Sequence, residues 1–132
     1  MATDVEAMNL NQVTVPSTDV ARSIEFYSRL GLKLIVKTLP KYARFECPEG
    51  GSTFSVHLVK KAVSPSQTVV YFECADLDLK VSLLEKAGVR FVSQPTDEPW
   101  LWREARLHDP DGNAICLFHA GTNRLDPPWR LA

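Results

Sequence analysis

Apolar and polar residues alternate in two separate stretches of the chain, and each stretch is followed by apolar residues at helical spacing. Alternation predicts a strand, and recurrence every three or four positions predicts an amphipathic helix. An aspartate that can cap the helix precedes it, and a glycine follows its end. The landmarks are the strand residues Val13 and Val70, the caps Asp19 and Asp76, and the terminating glycines Gly31 and Gly88. The two members of each pair lie the same number of positions apart, which indicates an internal repeat.

Three further strands are predicted after each helix, separated by turn signals rich in Gly, Pro and Asp. They span 33–37, 42–47 and 53–59 in the first half, and 90–92, 100–108 and 114–119 in the second. The predicted fold class is therefore α+β, made of two βαβββ repeats that share a sheet or a core. We expect a single domain over residues 1–132, with repeat one at about 8–59, a linker at 60–67, repeat two at about 68–119 and a C-terminal tail at 120–132.

Strand alternation assigns the side chains to two faces of the sheet. Apolar side chains belong to the face that a helix covers: Val13, Val15, Ala43, Phe45, Phe54, Val56, Leu58, Val70, Phe72, Leu101, Ala105, Leu107, Ile115 and Leu117. Cys47 and Cys74 share this parity, so we assign them to the core. The opposite face mixes aromatic rings with charges: Gln12, Thr14, Tyr42, Arg44, Glu46, Ser55, His57, Val69, Tyr71, Glu73, Trp100, Trp102, Glu104, Arg106, Cys116 and Phe118. Two interpretations stay open for this second face. It is a solvated surface, or it lines a ligand pocket, for which two nearby tryptophans argue.

Composition and charge indicate which classes of protein the chain is compatible with. The 132 residues are 45% hydrophobic and 23% charged, with a formal net charge of −1, which is typical of a globular domain. This balance gives no electrostatic reason to expect nucleic acid or an anionic membrane as partner. No apolar run approaches the roughly 20 residues of a membrane helix, and the first ten residues lack a signal-peptide pattern. Three widely spaced cysteines suit a reducing compartment, so we expect a cytoplasmic protein.

Three segments carry a resemblance to a known family. They are VTVPSTDVARSIEFYSRLGL (13–32), YFECADLDLKVSLLEKAGVRF (71–91) and DPDGNAICLF (109–118). Together they resemble the vicinal oxygen chelate superfamily, which contains glyoxalases, bleomycin-resistance proteins and extradiol dioxygenases. The resemblance covers roughly 10–119 and implies that the two βαβββ repeats form a cupped mixed sheet with the helices outside, the glyoxalase/bleomycin-resistance fold. It does not fix an activity, because that fold hosts metal-dependent enzymes as well as metal-free antibiotic-binding proteins. It also implies a homodimer.

The resemblance further implies where a family metal would be held, namely on the first and last strands of each repeat. Carried over to this sequence, those positions are Gln12, either Ser55 or His57, then Val69, and finally Cys116. Valine cannot bind a metal, and serine is a poor ligand. We therefore expect no cofactor at the ordinary position. The alternative is a divalent metal (Zn, Ni, Fe or Mn) at a nonstandard site made by Gln12, His57 and Cys116.

Three functional hypotheses follow. In the first, the protein is a metal-free binder that holds a small aromatic or charged compound between Trp100, Trp102, Tyr42 and Tyr71. In the second, it is a glyoxalase-like lyase, an isomerase or a transferase, with His57 as general base or ligand. In the third, cross-strand salt bridges fill the cup of a structural homodimer. The candidate ligand-binding residues are Gln12, Tyr42, Arg44, Ser55, Tyr71, Trp100, Trp102, Glu104, Cys116 and Phe118.

Cys116 has two alternative roles of its own. A nucleophile requires a lowered thiol pKa, whereas an inert buried thiol behaves as a small hydrophobic residue. We favour the inert role. The identity of the ligand or substrate does not follow from the sequence.

Overall fold

The computed structural model of the chain describes residues 7–61 and 67–132. The described residues fall into two compact units, the first ending at Val59 and the second beginning at Lys60. Each unit contains one α-helix and one four-stranded mixed sheet, and the two sheets have the same strand order. The repeat and the α+β class predicted from the hydrophobic pattern are therefore confirmed. Most of the predicted linker, 62–66, lies outside the described residues.

The first unit follows the predicted order of elements. Its elements are β1 (Gln12–Ser17), α1 (Val20–Leu30), β2 (Lys33–Thr38), β3 (Tyr42–Glu46) and β4 (Thr53–Leu58). The sheet order is β1-β4-β3-β2, with β1 parallel to β4 and the other neighbours antiparallel. A parallel neighbour requires a crossover connection, which begins with α1.

Helix α1 begins and ends where the sequence predicts. The Asp19 side chain accepts a hydrogen bond from the backbone N–H of Arg22, and Gly31 follows the last turn with a φ of 106°. A positive φ is nearly free for glycine and strained for other residues, so Gly31 terminates the helix. The buried face of α1 carries Tyr27, whose ring centroid lies 4.6 Å from that of Phe54 and 5.8 Å from that of Phe45. These rings form the core of the first unit.

The second unit repeats this architecture. It contains β5 (Val69–Glu73), α2 (Leu77–Lys86), β6 (Thr96–Asp97), β7 (Arg103–His108), β8 (Ala114–His119) and a 3₁₀ turn (Gly121–Asn123). The sheet order is β5-β8-β7-β6, again with only the first pair parallel among the described strands. Asp76 caps α2 by accepting from the N–H of Leu79. In the described part of the chain no helix is long enough or apolar enough to cross a lipid bilayer.

Two predicted strands differ from the structure. The segment 90–92 forms no strand, although the N–H of Val92 donates to the carbonyl of Arg106, and the two-residue β6 takes the edge position instead. The strand predicted at 100–108 begins only at Arg103. Residues 99–100 lie in a turn instead, in which the N–H of Leu101 donates to the carbonyl of Glu98 and Leu101 adopts a φ of 68°.

Two apolar side chains assigned to the helix-covered face are exposed. Leu101 lies in a turn with a φ of 68° and is 47% exposed, and Leu58, the last residue of β4, is 41% exposed. Val13, Val70 and Phe72 are half-buried, and the remaining side chains of this set are buried. In the second unit Ala105, Leu107 and Ile115 are almost fully buried.

The chain after β8 is tied back to its own unit by Glu73. This carboxylate accepts hydrogen bonds from the N–H groups of Ala120 (2.7 Å) and Gly121 (2.9 Å), and the Arg124 guanidinium lies 3.7 Å away. Burial raises the pKa of Glu73, but the two backbone N–H groups, His119 and Arg124 outweigh it, so that the pKa is lowered. The ionised carboxylate thus stabilises the beginning of the tail.

Candidate functional site

In the first unit, the face of the sheet opposite α1 carries a polar network centred on Ser55. The Ser55 hydroxyl is fully buried, accepts a hydrogen bond from Nε2 of Gln12 (2.9 Å) and lies 2.7 Å from the Tyr42 hydroxyl. Gln12 also donates to Thr14, and its carbonyl oxygen accepts from the Thr53 hydroxyl. Three predicted site residues, Gln12, Tyr42 and Ser55, are therefore brought together.

Arg44 completes this network by donating from Nε to the Tyr42 hydroxyl at 2.9 Å. Its guanidinium carbon lies 5.5 Å from the centroid of the Tyr42 ring, within range of a cation–π contact. Burial raises the pKa of Tyr42, but the hydrogen bond with Ser55 and the bond and charge of Arg44 outweigh it, so the pKa is lowered. The arrangement stabilises the phenolate form.

His57 does not join this network. It lies near the end of β4, paired in register with Tyr42 on β3, and its side chain is exposed. Among the described residues it has no hydrogen-bond or ion-pair partner to orient the ring. Its role as a general base stays a prediction, without the orienting partner that usually accompanies such a base.

In the second unit, the face opposite α2 carries a cluster of aromatic rings, which we call the aromatic face: Tyr71, Trp102 and Phe118. Trp102 stacks on Phe118 with ring centroids 4.8 Å apart, and Tyr71 meets the edges of both rings at 5.6 Å and 6.0 Å. Phe118 is buried, whereas Tyr71 is 42% exposed. The exposed edge of the cluster is therefore Tyr71, supported from beneath by the other rings.

A buried carboxylate adjoins the aromatic face. Glu104 is only 3% exposed, and its two oxygens accept from Nε1 of Trp100 (2.7 Å) and Nη2 of Arg106 (2.9 Å). The same Nη2 donates to the Tyr71 hydroxyl at 3.2 Å. The pKa of Arg106 is raised, first by the bond to Tyr71 and then by Glu104, against the effect of burial. These contacts fix the guanidinium beside the exposed ring of Tyr71.

The two tryptophans reach this region from a turn and not from a shared strand. Both precede β7, so the prediction that a strand over 100–108 contains them both is wrong. Trp100 bonds to Glu104, while the Nε1 group of Trp102 donates to the carbonyl of Asn123 at 3.3 Å. Asn123 lies in the 3₁₀ turn after β8, and strand alternation carries no signal for such a contact.

Cys116 lies at the centre of the same sheet. Its side chain is fully buried, and burial, followed by the charge of Glu104, raises the thiol pKa to about 12. A nucleophile needs the opposite shift, so the inert role is favoured. Cys47 and Cys74, which we assigned to the core, are half-buried, and burial raises the pKa of both thiols.

The side chains at the implied metal positions do not fit a hard divalent ion. In the first unit the polar atoms of Gln12 and Ser55 are already used in hydrogen bonds, and His57, the alternative to Ser55, is exposed and lies outside this network. In the second unit Val69 has no donor atom, and the Cys116 thiol resists the deprotonation that metal binding requires. Within 7–61 and 67–132, no three His, Cys, Asp or Glu side chains form a group that could hold a metal ion.

Comparison with known proteins identifies the family. The profile of the Glyoxalase/Bleomycin resistance protein/Dioxygenase superfamily matches residues 9–117. The chain belongs to this superfamily. No curated protein matches the sequence at a significant level.

Solved structures of the superfamily share the fold. A glyoxalase/bleomycin resistance protein/dioxygenase from Nocardioides is 24% identical, with a TM-score of 0.77 over 97% of this chain and 92% of that chain. A bleomycin-binding protein, solved in complex with bleomycin, is 18% identical, with a TM-score of 0.69 over 86% and 98%. A lactoylglutathione lyase from Agrobacterium tumefaciens is 13% identical, with a TM-score of 0.73 over 91% and 98%. At these identities the likeness extends to fold alone, and superfamily members with the same fold differ in activity.

Proposed function

We propose that this superfamily member binds a small planar organic molecule on the aromatic face of its second unit. One observation carries the proposal: Tyr71 is held edge-on against a stacked Trp102–Phe118 pair and still presents nearly half of its surface. Rings that are fixed before binding lose little conformational freedom when a flat ligand stacks on them. The bleomycin-binding relative supports small-molecule binding on this fold.

Binding does not depend on a divalent metal in this proposal. Of the residues at the implied metal positions, Gln12 and Ser55 are engaged in other hydrogen bonds, Val69 is apolar and the Cys116 thiol is held protonated, which leaves the exposed His57 alone. Binding should therefore be unchanged in the presence of EDTA, and elemental analysis of the purified protein should find less than stoichiometric metal.

The binding experiment uses isothermal titration calorimetry with bleomycin and with 2-naphthamide, a neutral planar probe. Tyr71→Ala should weaken binding by about tenfold, because base-like stacking on one aromatic ring contributes on the order of 1–3 kcal/mol. The matched control is Leu83→Ala, which removes an exposed apolar side chain from α2. Equal affinities for both variants, or no binding by the unaltered protein, would contradict the proposal.

An enzyme is the second candidate function, favoured by the Tyr42 phenol. Its hydrogen bonds to Ser55 and Arg44 lower its pKa, which suits an acid–base group better than the unpartnered His57. The test is formation of lactoylglutathione from methylglyoxal and glutathione, with Zn²⁺ or Ni²⁺ added. Activity that is lost in Tyr42→Phe would favour this candidate, and absence of turnover would favour the binder.

We also propose that the two units fold as one domain, that the chain forms a homodimer and that it works in the cytoplasm. Exposed apolar side chains in the tail, Leu125, Trp129 and Leu131, support a subunit contact. Three free cysteines support a reducing compartment. A single cooperative unfolding transition would support one domain. Light scattering at the dimer mass would support the homodimer, and recovery in the cytoplasmic fraction of the cell would support the location.

A further inference from the structure

We propose that the ligand of the aromatic face is an aromatic carboxylate, with its ring on Tyr71 and its carboxylate on Arg106. This rests on the proposed function and adds the chemical class of the ligand. The geometry behind it is the fixed distance between ring and guanidinium. The Arg106 guanidinium carbon lies over the Tyr71 ring, 5.7 Å from its centroid, so a ligand with its acid group directly on a flat ring can reach the guanidinium while its own ring covers the exposed part of Tyr71.

Arg106 has donors left for a ligand. Only Nη2 is used, in its bonds to Tyr71 and Glu104, and among the described residues Nε and Nη1 have no partner. The side chain is 40% exposed. Since its position is already fixed by two hydrogen bonds, a carboxylate that binds it does not have to order a flexible chain.

The other charged groups on this face are already paired. Glu104 is buried beneath the guanidinium and accepts from Trp100 and Arg106, so it offers no free oxygen to a cationic ligand. Glu73 is bound to the N–H groups of Ala120 and Gly121 and lies near Arg124. The remaining charge available to a ligand is therefore positive, which favours an anion over a cation.

The exposed aromatic surface next to Arg106 limits the shape of that anion. Tyr71 and Trp100 are both more than two-fifths exposed, and each is hydrogen-bonded to the Arg106–Glu104 pair. A small inorganic anion would satisfy the guanidinium and leave the rings in water. A flat ring that carries a carboxylate satisfies both.

The test compares three probes that share one ring system and differ in charge: 2-naphthoate, 2-naphthamide and 2-naphthylmethylammonium. Calorimetry should show 2-naphthoate binding about tenfold more tightly than the amide, a difference of about 1.4 kcal/mol, because a hydrogen bond between two charged groups is stronger than one to a neutral amide. The ammonium compound should bind most weakly. This comparison needs no variant, so it does not depend on the folding of a mutant.

Variants then test whether Arg106 causes the preference for 2-naphthoate over 2-naphthamide. In Arg106→Gln the advantage of 2-naphthoate over 2-naphthamide should fall to less than about twofold. Arg106→Lys should keep part of it, and Arg90→Gln, which removes an exposed charge outside the strands of the same unit, should keep all of it. Equal affinity for acid and amide would overturn the assignment of ligand class while leaving a binder of planar molecules. Failure of all three probes to bind would count against the proposed function itself.

Discussion

Arg44 and Arg106 occupy the same place in the two sheets. Arg44 on β3 pairs with Ser55 on β4, and Arg106 on β7 pairs with Cys116 on β8. Each guanidinium also donates to the hydroxyl of a tyrosine, at 2.9 Å and 3.2 Å respectively. The internal repeat therefore extends to this arginine. The residue paired with it differs between the sheets, because Ser55 offers a polar hydroxyl and Cys116 a protonated thiol.

The hydrogen bonds that the buried Glu104 carboxylate accepts from Trp100 and Arg106 should stabilise the second unit. Glu104→Ala should lower the free energy of unfolding by about 2–3 kcal/mol, because it leaves Trp100 and Arg106 without their acceptor. Urea denaturation followed by circular dichroism measures the change. The control is Glu46→Ala on β3, an exposed carboxylate, where we expect a change within about 0.5 kcal/mol. If Glu104→Ala lowers the free energy of unfolding no more than Glu46→Ala does, the hydrogen bonds to Glu104 add no net stability.

Cys116 should be almost unreactive in the folded protein. In a Cys47→Ser, Cys74→Ser background, iodoacetamide at pH 8 reports on this thiol alone. A pKa raised from 9.0 to about 12 lowers the thiolate fraction, and burial restricts access to the sulfur, so alkylation should be slower than in urea by about 100-fold or more. The Cys74→Ser, Cys116→Ser protein, which retains the half-buried Cys47, provides the comparison. Alkylation of folded Cys116 at the rate of the unfolded chain would refute the buried, protonated thiol.

The lowered pKa of Tyr42 depends on Ser55. Ser55→Ala should raise the pKa of Tyr42, because the phenolate loses a hydrogen-bond donor while burial continues to oppose ionisation. Carbon-13 NMR of the tyrosine Cζ atoms follows the titration, and Tyr42→Phe assigns the signal. Thr14→Val, which removes another partner of Gln12 but spares the phenol, should leave the pKa unchanged. A shift of the same size in both variants would show that Ser55 is not the cause.

The attachment of the tail should weaken in acid. Since the pKa of Glu73 is lowered from 4.5 in the folded protein, its stabilisation is present above pH 4.5 and is lost as the pH falls through the folded-state value. The amide NMR signals of Ala120 and Gly121 should move with a midpoint below 4.5. Glu73→Gln should abolish this transition, whereas Glu25→Gln on α1 should not. A transition that persists in Glu73→Gln would assign it to another group.

The sequence predicts the repeat and the sheet faces well, because alternation and helical spacing record which side chains meet the core. Tyr27, Phe45 and Phe54 are buried as their spacing requires. The sequence predicts the candidate site less well where a side-chain contact depends on the conformation of a turn. Leu101 adopts a positive φ, and Trp102 bonds to Asn123 beyond the last strand, and neither feature follows from local preference. It also leaves open whether Glu104 and Arg106 face a ligand or each other, since that depends on side-chain conformation.

The hydrogen bond from Trp102 to Asn123 has a practical consequence for anyone who handles this protein. A purification tag or fluorescent label fused after Ala132 would be attached to the segment after β8, which contains the acceptor that holds the indole in its stack. A tag at the amino terminus is not attached to that segment. Affinities measured with the tag at either end should therefore be compared.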